Sequence, residues 1–260
     1  MNPLLDLSAR PVIAHRGASG HAPENTLPAF ELAVQQGADA FELDVRLTAD
    51  DVLVVLHDAT LQRTTGNRLS VASQTLAQLR QADAGASFSP DAGRSFPFRG
   101  AGLVVPTLAE VLEAFPEVPV LVDIKEARAQ AAVRQLLLET RAADRCVVAS
   151  EEAAALALFD DRVFSRAASP REISSLYWGS LLRRARVSTP SRVIECPYQA
   201  LSVPLRYRGL TIPTPSFVAA ARERACPVHA WTVNDPAIAQ RLWRAGVAGI
   251  VTNFPERMRS

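Results

Sequence analysis

The chain has 260 residues, of which 48% are hydrophobic and 21% charged, with 28 basic against 27 acidic side chains. These values exclude a disordered chain, and a core of this size needs no disulfide or structural metal. The net charge of +1 excludes a global basic field for nucleic acid or an anionic membrane.

Two hydrophobic periods alternate along the chain. A first predicted strand covers 11–15 and ends at His15. A helix over 25–36 follows, stopped by Gly37, and then a strand over 40–45. The apolar run 52–57 comes just after Thr48-Ala49-Asp50-Asp51. That connection is too short for a parallel crossover, so the two runs form an antiparallel hairpin. A turn centred on Ala49-Asp50 puts Glu42 opposite His57. Residues 70–102, rich in Ser, Gly, Ala and Pro, read as an excursion over a barrel mouth with one short helix at 75–81.

The alternation then resumes. Helices are predicted at 107–115, 127–142, 152–159, 170–182, 215–224 and 236–245. Strands are predicted at 118–124, 146–149, 162–164, 193–196, 228–233 and 249–252, with a helical stub from Pro255. Eight strand–helix units in ~250 residues predict an α/β fold, a (β/α)₈ TIM barrel. Its small insertion and β-hairpin follow the second strand, at about 46–105, and residues 1–260 form a single domain. An open doubly wound sheet is the competitor. It is disfavoured because no GxGxxG follows the first strand and no GxxxxGK[ST] occurs.

Cys146, Cys196 and Cys226 are far apart in sequence, with no CxxC pair. They predict free thiols in a reducing compartment. No stretch approaches 18 apolar residues, and residues 1–10 carry no basic and apolar leader, so the expected protein is soluble and cytoplasmic.

Barrel chemistry sits where the strands end. The first strand ends in His15 and Arg16, the second carries Glu42 and Asp44, and the hairpin brings His57 and Asp58. The third carries Asp123 and Lys125, the seventh Trp231, and the eighth Asn253. Residues two apart on a strand point the same way, so Glu42 and Asp44 form a carboxylate pair, and Asp123 adds a third. Buried like charges need compensation, and an oxygen-rich set suits Mg²⁺, Ca²⁺ or Mn²⁺. Among the 28 basic residues, Lys125 is the one lysine, and it points into the same space as Asp123. With Arg16 it suits a phosphate beside a metal. His15 and His57 suit general acid–base work. Each residue alone has an ordinary structural explanation, and it is their convergence at one face that points to a site.

The runs His15-Arg16-Gly17, Pro23-Glu24-Asn25-Thr26, Phe41-Glu42-Leu43-Asp44-Val45 and His57-Asp58-Ala59-Thr60-Leu61 resemble the glycerophosphodiester phosphodiesterase family. So do Arg63-Thr64-Thr65, Pro106-Thr107-Leu108, Asp123-Ile124-Lys125, Trp231-Thr232-Val233-Asn234 and Gly249-Ile250-Val251-Thr252-Asn253, in family order. The resemblance implies a (β/α)₈ barrel and metal-dependent hydrolysis of glycerophosphodiesters to glycerol 3-phosphate and an alcohol through a cyclic phosphate. It implies His15 and His57 as the acid–base pair, Glu42, Asp44 and Asp123 at the metal, and Arg16 and Lys125 at the phosphate. Glu24 and Asn25 would support the site, and Trp231 is a candidate substrate contact. The partner is a small molecule, with no nucleic acid and no stable membrane insertion.

Four positions depart from the family pattern. Asp123 stands where Glu is usual, and Asn253 where Asp is usual. The turn reads Asp50-Asp51 instead of Asp-Gly, and Ser150-Glu151 replaces Ser-Phe. Two alternatives follow. One is a lysophospholipid or sphingolipid phosphodiesterase, with an apolar rim from Phe88, Phe96, Phe98, Tyr177 and Trp178. The other is a catalytically weak barrel that binds phosphorylated ligands.

Overall fold

A computed structural model describes residues 2–159, 163–183 and 196–259. Strand β1 (Val12–His15) leads to helix α1 (Leu27–Gln35), then to β2 (Ala40–Leu47) and β3 (Leu53–Val55). Short helices α2 (Gln62–Thr65) and α3 (Leu76–Leu79) lie in the insertion, and α4 (Leu108–Ala114) returns to the barrel. Then come β4 (Val120–Ile124), α5 (Gln130–Glu139), β5 (Cys146–Ala149), β6 (Ser165–Arg166) and α6 (Pro170–Arg183). The chain continues through β7 (Leu201–Pro204), a small pair β8 (Arg206–Tyr207) and β9 (Leu210–Thr211), and α7 (Pro215–Arg222). It closes with β10 (Val228–Trp231), α8 (Pro236–Arg244) and β11 (Gly249–Thr252).

Parallel pairing runs β6-β5-β4-β2-β1-β11-β10-β7. A parallel bridge from Ala167 to Ala200 joins the two ends, with Ala168 N–H donating to the Ala200 carbonyl at 2.9 Å. The sheet is therefore the closed eight-stranded barrel of the predicted class.

Strand pleating sorts the side chains. Outward residues Phe41, Leu43, Val45, Val120, Val122 and Ile124 pack under the helices in one large cluster. Phe30 of α1 meets Phe41 with ring centroids 4.9 Å apart. Helix α4 starts at Thr107 through a capping box with Glu110, which satisfies two end N–H groups and contributes about 1 kcal/mol. Inward residues form a lower apolar layer of Ile13, Ala40, Leu121, Val147, Ala167, Ala200 and Val251, joined by Leu4 from the N-terminal turn. Above that layer the inward positions turn polar, beginning with His15, Glu42, Asp44 and Asp123.

Several local expectations need correction. The β2–β3 ladder pairs Val45 with Val55, Arg46 with Val54 and Leu47 with Leu53. This is one residue off the predicted register, so Glu42 is not the ladder partner of His57. The loop holds three residues, 49–51, and Asp51 is left-handed at φ 57°. Thr48 closes it, its N–H donating to the Val52 carbonyl at 3.0 Å and its hydroxyl accepting from Val52 N–H at 2.9 Å. A left-handed third residue is the mark of the three-residue hairpin. The insertion also has its own core, built on Val54, Leu56, Leu61, Val71, Leu79 and Val105.

The predicted strand at 162–164 begins at a residue outside those described, and the fifth barrel strand is Ser165–Arg166. Residues 193–195 of the predicted sixth strand also lie outside the described residues. The sixth barrel strand is Leu201–Pro204, whose Leu201 and Val203 are buried against α7. The segment predicted as a helix at 152–159 is a 3₁₀ helix, Ala153–Phe159. Cys196 and Cys226, distant in sequence, approach to 3.5 Å between sulfurs, and the three thiols are free. Among the described residues, no helix is long and apolar enough to cross a membrane.

Candidate active site

Barrel register builds the centre. His15 of β1 lies beside Glu42 of β2, and Asp44 lies beside Asp123 of β4. One oxygen from each of Glu42, Asp44 and Asp123 falls within 4.8 Å of the others. Glu42 and Asp44 are buried, at 8% and 0% exposure. Burial, reinforced by the charges of Asp44 and Asp123, pushes the Glu42 carboxyl well above the usual carboxylate range. Burial also raises Asp123. Burial acts on Asp44 in the same direction, but Lys125 and Arg16 outweigh it and hold its carboxyl low.

Lys125 bridges the carboxylates, its Nζ 2.6 Å from Asp123 Oδ2 and 2.8 Å from Asp44 Oδ1. Asp123 Oδ1 and Asn25 Oδ1 are buried with no hydrogen-bond partner. An all-oxygen set with orphaned buried acceptors fits a hard divalent cation. The residues present therefore suit Mg²⁺, Ca²⁺ or Mn²⁺.

The β1 loop carries the opposite charge. Arg16 takes a left-handed φ of 58° and Asn25 one of 57°. Asn25 N–H donates to the Arg16 carbonyl at 2.9 Å, and Arg16 N–H to the Glu42 carbonyl at 2.8 Å. A Cβ on Gly17 would come within 2.6 Å of the Ala29 backbone, so this turn packs on α1 only with glycine there. The turn directs Arg16 inward. Its Nη1 donates to Glu24 Oε1 at 2.8 Å, and its Nε lies 3.1 Å from Asp44 Oδ2. Asn25 Nδ2 donates to the same Asp44 oxygen at 2.8 Å.

Two imidazoles flank this centre in different settings. His15 Nδ1 is 2.6 Å from Asn253 Oδ1. With Asn253 oriented this way its oxygen can only accept, so Nδ1 carries the proton. Nε2 is then the free base, 3.9 Å from Glu42 Oε2. Burial first, and the Arg16 charge second, lower the His15 pKa to about 4. His57 Nδ1 instead meets Asp58 Oδ1 at 2.7 Å. His57 lines a cavity of about 440 Å³ with Arg46, Ile124, Lys125, Ser150, Glu151 and Glu152.

The predicted Glu24, Asn25, Arg16 and Lys125 thus converge with the carboxylates and histidines. Trp231 is half-buried and packs on the interior apolar layer. Of the residues expected at an apolar rim, Phe88 and Phe98 pack edge-on at 5.5 Å, Arg99 covers Phe96, Tyr177 is buried near Phe217, and Trp178 is exposed. Sequence reasoning gave no role to Arg46, whose Nε donates to the His57 carbonyl at 2.8 Å. It gave none to Arg63, which contacts both Asp58 and Glu24. The signal for Arg63 was its place five residues after Asp58, within one of the quoted runs.

The chain is similar to known proteins over nearly its whole length. The profile of the glycerophosphoryl diester phosphodiesterase family matches residues 15–257. A glycerophosphodiester phosphodiesterase of Caldanaerobacter subterraneus subsp. tengcongensis is 33% identical over 258 residues, covering 95% of each chain. The crystal structure of a glycerophosphodiester phosphodiesterase from Agrobacterium tumefaciens superposes with a TM-score of 0.73 at 26% identity, over 95% of this chain and 98% of that one. A phosphodiesterase from Oleispira antarctica, solved with the product sn-glycerol-3-phosphate, superposes at 0.74 with 26% identity, over 96% of both chains.

Proposed function

The chain belongs to the glycerophosphoryl diester phosphodiesterase family and is a phosphoric diester hydrolase, and from that premise we propose that it hydrolyses glycerophosphodiesters to glycerol 3-phosphate and an alcohol by histidine acid–base catalysis. The observation that carries this reading is the contrast between the two imidazoles beside one carboxylate–lysine centre. His15 is half-buried and held neutral with Nε2 free. His57 faces the cavity with Nδ1 on a carboxylate.

In the first stage His15 Nε2 takes the proton of a substrate hydroxyl beside the phosphoester. That oxygen bonds to phosphorus, the bond to the leaving alcohol breaks, and His57 Nε2 gives the alcohol its proton. In the second stage the roles reverse. His57 takes a proton from water, the water oxygen bonds to phosphorus, the ring P–O bond made in the first stage breaks, and His15 returns its proton to that oxygen. Glu42, Asp44 and Asp123 would hold a divalent cation, which supplies charge stabilisation to the phosphate oxygens. Arg16 and Lys125 bind the remaining phosphate oxygens. Lys125 keeps its proton throughout, because Asp123 and Asp44 push its pKa up against the effect of burial. Glu24 and Asn25 hold Arg16 and Asp44 in place, and Trp231 borders the substrate at the mouth.

The same reading takes residues 1–260 as one catalytic domain, with 46–105 walling one side of the mouth. It puts the enzyme in the cytoplasm, which the three free thiols support. Metal-dependent release of glycerol 3-phosphate from glycerophosphodiesters tests it.

A further inference from the structure

Arg63 stands on α2, in the insertion, outside the barrel strands. Its guanidinium nonetheless engages two carboxylates at once. Nε donates to Asp58 Oδ2 at 2.6 Å. Nη1 and Nη2 donate to Glu24 Oε2 and Oε1 at 2.6 and 2.7 Å. The other oxygen of Asp58 meets His57 Nδ1 at 2.7 Å, and Glu24 Oε1 also accepts from Arg16 at 2.8 Å. One unbroken line of polar contacts therefore runs His57, Asp58, Arg63, Glu24, Arg16, Asp44.

We propose that Arg63 is a positioning residue that fixes the His57 ring through Asp58, with Glu24 bracing its guanidinium from the β1 loop. The inference rests on the reading of His57 as the acid for the leaving alcohol. Without Arg63, Asp58 loses its second anchor and the imidazole can swing on its loop. A planar fork with three donors in use is not reproduced by an ammonium, so lysine should substitute poorly. The Arg63 side chain is 49% exposed, and exposed ion pairs contribute little to folding. Its loss should therefore be read in turnover more than in unfolding.

Leaving-group dependence tests this. Release of the alcohol in a single turnover, which reports the first stage alone, is compared for two glycerol phosphodiesters, one with an alkyl alcohol and one with p-nitrophenol, whose departure needs no protonation. For Arg63→Gln and Arg63→Lys, the single-turnover rate on the alkyl substrate should fall about 10–100-fold. On the p-nitrophenyl substrate it should fall less than about 3-fold, with KM and Tm nearly unchanged. His57→Ala should show the same selectivity more strongly, and adding Arg63→Gln to it should reduce the single-turnover rate no further. If Arg63→Gln slows both substrates equally, or acts on KM or Tm alone, while His57→Ala stays selective, the positioning role is overturned and the acid assignment stands. If His57→Ala also slows both equally, the acid assignment fails and the inference fails with it.

Discussion

His15 Nδ1 lies 2.6 Å from Asn253 Oδ1, and this contact selects the tautomer that leaves Nε2 free toward Glu42. A carboxylate at the same place would select the same tautomer and also favour the charged ring. Asn253→Asp should therefore raise the pKa of His15 from its value of about 4. The acid limb of the kcat/KM profile should move to higher pH, since the base must be neutral to work. Ring titration by NMR, beside the rate profile, checks the direction.

Three carboxylates within 4.8 Å of one another, two of them buried, predict that a divalent cation stabilises the fold. Added Mg²⁺, Ca²⁺ or Mn²⁺ should raise Tm in the wild type and fail to do so in Asp44→Asn. Binding should weaken as pH falls, because the raised Glu42 carboxyl must lose its proton to act as a ligand. Thermal shift against cation concentration at two pH values reads both effects.

His229 links the barrel floor to stability. Its Nε2 meets the Leu4 carbonyl at 2.8 Å, and burial lowers its pKa from 6.5 to about 4. The unfolded chain therefore binds more protons than the native one between those values, and stability falls as pH drops through that window. The loss is on the order of 3 kcal/mol at full effect. His229→Gln should be less stable at neutral pH and should show a flatter acid slope in urea denaturation between pH 7 and about 4.

Gly249 is required by the same ring. A Cβ there would sit 2.2 Å from His229 Nδ1, and His229 itself is fully buried. Gly249→Ala should destabilise by roughly 1–3 kcal/mol through overpacking. Pairing it with His229→Ala should recover part of that loss, measured by a double-mutant cycle.

Much of this site was legible because strand pleating has a fixed period. Once 40–45 and 118–124 read as strands, Glu42, Asp44, Asp123 and Lys125 had to share a face. His15 and Asn253 followed from being strand ends in a barrel. The hairpin register was not legible, because a two-residue and a three-residue loop differ by one position and both fit Thr48-Ala49-Asp50-Asp51. The sixth barrel strand was misplaced because Val193-Ile194 and Leu201-Ser202-Val203 carry similar apolar signals. Arg63 escaped assignment because its second carboxylate, Glu24, is 39 residues away, and no local period reports such a pair.

The proposed pairing of two histidines of opposite role beside a metal-binding carboxylate centre is directly measurable. The most direct measurement is release of glycerol 3-phosphate from glycerophosphodiesters with different alcohols, with Mg²⁺, Ca²⁺, Mn²⁺ or EDTA. It is run on the wild type, His15→Ala and His57→Ala, each shown to be folded. The account predicts release that EDTA abolishes and that each substitution lowers by about 10²–10⁴-fold on alkyl substrates. Release that persists at the wild-type rate in EDTA, or in either histidine variant, would contradict it.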